Sequence, residues 1–243
     1  MQVMREDLGK LRGKPISDDE LRASIEIYNE NRRALRDLYA YRSAKPWQAP
    51  TSEVYLLLRA GCVLPPEEHT KLVREYIAAA DAEKRPVRDN ARVVLTGAFC
   101  EQPPLGLIKS IEMAGCYIVE DDFMLVMRWL LDDVPTTGDP LDELSKAFLH
   151  RSASTSSKYD ERKSDKGQYL LKQVKTNAGE GVIFASPSFC DPALLERPML
   201  QEVLARYKVP YTAFKYAENT GQMAPIREQA GTFADSIKLW SAA

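Results

Sequence analysis

Cys190 stands in Ser186-Pro187-Ser188-Phe189-Cys190-Asp191-Pro192, just past an apolar run and just before a stretch that reads as a helix. Free N–H groups at a helix start favour a thiolate. Thiolates are the ligands of iron–sulfur clusters. The same position also suits a small buried loop residue. Cys100, in Gly97-Ala98-Phe99-Cys100-Glu101-Gln102-Pro103-Pro104, occupies the corresponding place after an earlier apolar run. It could face the same cleft, although ordinary packing is the simpler account. Cys116 opens a buried run and reads as core, and Cys62, ahead of two prolines, carries no assigned role.

The run Glu120-Asp121-Asp122 ends the second apolar stretch. Acids there could move protons or bind a metal. The plainer reading is a solvated strand end in which Asp122 caps a helix. Arg151, Lys158, Arg162, Lys163 and Lys166 lie in a Ser-rich stretch that could grip the phosphates of a carrier such as coenzyme A, or simply form an exposed loop. His150 opens that stretch and could donate a proton, without a visible partner. Glu218-Asn219-Thr220-Gly221-Gln222 offers a turn glycine, and Gln222 could donate into a cleft.

These residues need elements to position them. Ser17 with Glu20 three residues on is a capping box, and Leu21, Ile25, Tyr28, Leu35 and Leu38 recur at helical spacing behind it. Pro46 and Pro50 end that helix, and further helical stretches carry Val54, Leu57, Leu58 and Leu72, Tyr76, Ile77. From Arg92 the pattern changes. Runs at 92–97, 116–119, 181–185 and 209–214 read as strands, with helices over 105–113, 123–131, 170–174 and 192–207 and a last one carrying Ile226, Phe233, Ile237 and Trp240. Short continuous apolar strands alternating with helices predict an α/β fold. The expectation is a parallel Rossmann-like sheet with helices on both faces, preceded by a helical arm. Residues 1–88 form the arm or linker, and 89–243 form the α/β domain that carries Cys190. Ligands of open parallel sheets bind beyond the carboxyl ends of the strands. That rule selects the loops at 97–104, 120–122 and 186–192.

Composition narrows the class. The 243 residues carry 33 Lys+Arg against 35 Asp+Glu, for a formal charge of -2. No basic excess supports nucleic-acid binding, and no apolar run reaches the ~18 residues of a membrane span. The start carries acids and lacks a signal-peptide core, so a cytoplasmic protein is expected. Four scattered cysteines make no disulfide framework. There is no C-x-x-C, H-E-x-x-H, G-x-G-x-x-G or phosphate-loop motif.

The wording of three stretches resembles the family of 2-hydroxyacyl-CoA dehydratase and benzoyl-CoA reductase subunits. They are Ile16-Ser17-Asp18-Asp19-Glu20-Leu21 through Arg32-Arg33, Leu95-Thr96-Gly97 through Glu120-Asp121-Asp122, and Ser188-Phe189-Cys190-Asp191-Pro192 with Glu218-Asn219-Thr220-Gly221-Gln222 and Ile226-Arg227-Glu228-Gln229. The segments 97–104 and 214–219 look most like the reductase branch. The resemblance implies a substrate-side, iron–sulfur-containing subunit of an ATP-dependent benzoyl-CoA reductase. Such an enzyme dearomatises benzoyl-CoA to a cyclohexadiene carboxyl-CoA with ferredoxin electrons. It implies a 4Fe–4S cluster, shared or incomplete in this chain, with Cys190 as a cofactor-binding and metal-ligating residue. It implies the other reductase subunits, ferredoxin and benzoyl-CoA as partners, and neither nucleic acid nor membrane. ATP would be hydrolysed elsewhere in the complex. Family members usually carry a preceding α/β domain with further cluster cysteines, and this chain is expected to begin near the helical connection after it. The alternatives are a 2-hydroxyacyl-CoA dehydratase subunit, a lyase, and a cluster-free α/β interaction module.

Overall fold

A computed structural model describes residues 1–97, 103–153, 167–217 and 223–241. Four helices come first: α1 (Gln2–Arg12), α2 (Asp18–Ala44), α3 (Thr51–Ala60) and α4 (Pro66–Ala82). The remainder runs β1 (Ala91–Thr96), α5 (Leu105–Met113), β2 (Cys116–Asp121), a 3-10 turn (Leu125–Arg128), α6 (Pro140–His150), α7 (Gln168–Thr176), β3 (Gly181–Pro187), α8 (Asp191–Arg206), β4 (Tyr211–Tyr216) and α9 (Met223–Ser241). The strands form one parallel sheet in the order β2-β1-β3-β4. The expected α/β class, with helices on both faces, is what the chain adopts.

Alternation along the strands separates the two faces. Val93, Leu95, Ile183 and Ala185 share a core with α2, α3, α5 and α9. Val94, Val182 and Phe184 point the other way, against Leu170 and Val174 of α7 and Leu200 and Leu204 of α8. Each fully buried side chain of this size contributes about 1.5–3 kcal/mol. The chain leaves β1 for β2 on one side and returns to β3 on the other. The topological switch point therefore lies between β1 and β3, where such folds place ligands.

The capping box forms as the sequence suggests: Glu20 N donates to Ser17 Oγ at 3.2 Å, and Ser17 N donates to the Glu20 carboxylate at 2.9 Å. Ile25, Leu35 and Leu38 are buried, but Tyr28 is 53 % exposed. Buried Asn29 lies one residue along from it and exchanges two hydrogen bonds with the Val134 backbone, at 2.9 and 2.8 Å. A polar seam therefore runs where a pure apolar stripe was expected.

Two more expectations need correction. The helix over 123–131 is only a 3-10 turn, because β2 extends through Asp121 and the Asp121 carboxylate takes the Phe123 N–H at 3.0 Å. Helices α1 and α6 were not foreseen. The second has a clear start, with Asp139 accepting from Asp142 N at 2.8 Å and Pro140 in its first turn.

Candidate functional site

A cavity of about 420 Å³ opens at the carboxyl ends of β1, β2 and β3. Val94, Leu95, Phe184 and Leu200 give it an apolar floor, and Thr96, Arg128, Tyr169, Lys172 and Glu196 add polar groups. That mixture suits a small organic ligand. Gly97 makes the geometry possible. It adopts φ +106°, and a Cβ there would come within 2.8 Å of Ser186 Oγ and 3.1 Å of Ala185 O. A side chain would push the ends of β1 and β3 apart.

The acid run is sorted by strand register. Pairing between β1 and β2 shifts between Val93 and Val94, so Glu120 lies beside Val94 and Asp121 beside Leu95. A one-residue shift exchanges faces. Asp121 consequently meets α2: its Oδ2 accepts from Arg42 Nη1 at 2.5 Å, and its two oxygens lie 3.1 and 3.3 Å from the Tyr39 hydroxyl. Arg42 and Asp121 are essentially fully buried. Glu120 pairs with Arg128, which donates from Nη1 at 2.7 Å and from Nη2 at 3.2 Å. Asp122 caps no helix. Its Oδ2 accepts from Thr96 Oγ1 at 2.8 Å and Gly97 N at 2.9 Å, tying the end of β2 to the end of β1. The three acids are fixed structural acceptors, not a solvated strand end.

Tyr39 joins these groups. The Arg42 guanidinium carbon lies 4.2 Å from its ring centroid and that of Arg128 lies 3.3 Å away. Burial, then the Asp121 charge, pushes the Tyr39 phenol up, so it remains a neutral donor. Burial likewise raises the Tyr169 phenol, helped by Glu196 and Asp122.

Cys190 is the N-cap residue of α8 and is 7 % exposed. Ala193, three residues along that helix, lines the cavity, as does Glu196. Cys116 pairs with Ala91 at the opposite end of the sheet. Cys116 therefore lies at least the length of β1, about 17 Å at ~3.3 Å per residue, from Cys190. Burial pushes the Cys116 thiol up to about 12, and the group packs as core. Cys62 is exposed after α3. Cys100 lies outside the described residues, as do residues 154–166 and 218–222. His150 ends α6 and is exposed, away from the cavity lining. A cluster cube normally takes four thiolates. The described residues bring at most one cysteine, Cys190, to the ligand end of the sheet. That fits one ligand of such a cluster and not a complete set. Among the described residues no group of three His, Cys, Asp or Glu converges to hold a metal, and no helix is long and apolar enough to cross a membrane.

Sequence reasoning missed Tyr39, Arg42, Arg128, Tyr169 and Glu196. One signal was present: Arg42 follows Leu35 and Leu38 on the apolar face of α2, where a charge demands a partner.

The chain is 63 % identical over 241 residues to a benzoyl-CoA reductase subunit of Thauera aromatica, covering 99 % of this chain and 62 % of that protein. It is 28 % identical to the (R)-phenyllactyl-CoA dehydratase beta subunit of Clostridium sporogenes, covering 96 % of this chain and 61 % of the relative. It is 26 % identical to the beta subunit of (R)-2-hydroxyglutaryl-CoA dehydratase from Acidaminococcus fermentans, covering 95 % and 61 %. The chain thus spans about three fifths of the length of these curated relatives. The family model of 2-hydroxyglutaryl-CoA dehydratase, D-component, matches residues 1–237. This chain belongs to that family.

Proposed function

We propose that the chain serves in a substrate-side, iron–sulfur-containing subunit of an ATP-dependent benzoyl-CoA reductase, working in the cytoplasm within a hetero-oligomer. The observation that carries this reading is the 63 % identity over almost the whole chain to a benzoyl-CoA reductase subunit, against 28 % and 26 % to the dehydratase subunits. The reaction adds two electrons and two protons to the aromatic ring and gives a cyclohexadiene carboxyl-CoA. Ferredoxin supplies the electrons, and ATP is hydrolysed by other subunits. When bound, a 4Fe–4S cluster supplies the low-potential single electrons.

The chain's own residues take the remaining tasks. Cys190 holds one iron from the start of α8, and the other ligands come from Cys100, from sequence beyond this chain or from a partner. Val94, Leu95, Phe184 and Leu200 form an apolar wall for an acyl group and exclude water from it. Lys172 and the Glu120-paired Arg128 are the two cationic groups of the lining, set among four acids, and they offer N–H donors to the thioester. Gly97 and Asp122 hold the strand ends that shape the opening.

The test is iron content and low-temperature EPR of the dithionite-reduced complex, purified without oxygen, for wild type and Cys190→Ser. Loss of iron and of one cluster signal in the variant is expected. Unchanged iron and spectra would make Cys190 structural, and a complex without iron in this subunit would favour an interaction module. Net consumption of reductant with benzoyl-CoA separates the reductase from a dehydratase, which recycles its electron.

A further inference from the structure

Arg128 occupies an unusual position. It lines the cavity, and its side chain is 23 % exposed there. Its Nη1 and Nη2 bind both oxygens of Glu120, and Nη1 also donates to the Asp121 carbonyl at 3.1 Å. Its guanidinium carbon lies 3.3 Å from the centroid of the Tyr39 ring. Tyr39 does not line the cavity. It belongs to α2, is 5 % exposed, and is fixed in turn by Asp121, which Arg42 of the same helix neutralises. A chain of contacts therefore runs from the buried face of α2 to one cationic group at the ligand end of the sheet.

Each contact limits a different motion. The carboxylate fixes the in-plane fork of the guanidinium. The aromatic face fixes the plane itself, through dispersion and cation–π attraction. Tyr39 sits on the same side of the sheet as the large core, so its ring cannot retreat without disturbing Leu35 and Leu38. An arginine without such contacts would sample many rotamers.

We infer that Tyr39 is a positioning residue: its ring holds the Arg128 guanidinium in one orientation on the cavity wall, so that the ligand meets a fixed cation. The ligand part rests on the reading of the cavity as an acyl-thioester site, and the hold of Tyr39 on Arg128 does not.

Two measurements on the whole complex separate these parts. The first is labelling of Arg128 by phenylglyoxal, followed by peptide mass spectrometry, with exposed Arg74 as the internal reference. Tyr39→Leu should label Arg128 about 10-fold faster than wild type, and Tyr39→Phe, which keeps the ring, should stay near the wild-type rate. Arg128 labelled at the wild-type rate in folded Tyr39→Leu would overturn the inference. The second is turnover of benzoyl-CoA. Tyr39→Leu should raise KM roughly 10-fold with kcat within about twofold. An unchanged KM alongside faster labelling would also overturn the positioning role. If Tyr39→Leu fails to fold, Arg128→Lys takes its place: its ammonium lacks the planar face, so the same rise in KM is expected and an unchanged KM refutes it. Absence of benzoyl-CoA binding to the wild-type complex would sink the acyl-thioester reading instead, while the labelling still decides the contact.

Discussion

Two arginine–carboxylate clusters built from the same side chains behave differently because of water. At the α1–α2 junction, Arg5 pairs with Asp18 at 2.8 Å, Arg12 with Glu20 at 3.0 Å and Arg22 with Asp19 at 2.9 Å, all at the surface or near it. At the carboxyl end of the sheet, Arg42 pairs with Asp121 at 2.5 Å and Arg128 with Glu120 at 2.7 Å, largely out of solvent. Distances alone would rank them alike. The first cluster trims a helix start, where water and salt screen the charges and side-chain entropy offsets most of what attraction is left. The second pays a large desolvation cost, so an apolar seam would have been the simpler way to stabilise this fold. Three of its four groups, Glu120, Asp121 and Arg128, line the cavity.

The largest effect should come from Asp121→Ala. It strands the Arg42 guanidinium in the core and removes the acceptor of the Tyr39 hydroxyl and Phe123 N. Urea unfolding should show a loss of about 3–5 kcal/mol. Adding Arg42→Met in that background should recover much of it, because the stranded charge goes. A loss below ~1 kcal/mol in the single variant would mean that water reaches the pair and that the contrast between the clusters is false.

Glu120→Gln should fall between the extremes. Its partner Arg128 is 23 % exposed, so water can replace part of the lost interaction, and the amide still accepts one hydrogen bond. About 1–3 kcal/mol is expected from the same measurement. A value as small as that for a surface pair would place Arg128 with the exposed cluster.

The sequence makes the scaffold of both clusters readable and hides the second cluster itself. Ser17 and Glu20 announce the start of α2 because a capping box is local, three residues long. The runs at Val93-Val94-Leu95 and Val182-Ile183-Phe184 announce buried parallel strands because both faces are covered. Glu120 and Asp121 looked like a solvated strand end because nothing local reveals the register shift at Val93/Val94 that turns them to different faces. Arg42 finds Asp121 across 79 residues of chain, a contact that only the sheet creates. Asp122 shows the same limit: it has the chemistry of a helix cap, and the fold uses that chemistry on the end of β1. For Cys190, the strand-to-helix junction and the cleft at that end of the sheet were legible, from two local patterns and the carboxyl-end rule, while the lining that α7 and α8 add through Tyr169, Ala193 and Glu196 was not.

The smallest effect sharpens the comparison through pH. Glu20 is held at about 2, against an ordinary 4.5, first by the Arg12 side chain and then by the Ser17 N–H. A carboxyl whose folded value lies below its unfolded value adds stability that is complete above about 4.5 and is lost as pH falls through about 2. In an NMR titration the Glu20 side chain should therefore have its midpoint near 2, and Arg12→Gln should move it upward toward 4.5. High salt should do the same in part, because this pair is open to solvent. Salt should leave the Arg42–Asp121 pair intact, since ions do not reach it. If added salt instead weakened both clusters equally, burial would not be what separates them, and the case for a charged wall built for a ligand would lose its physical basis.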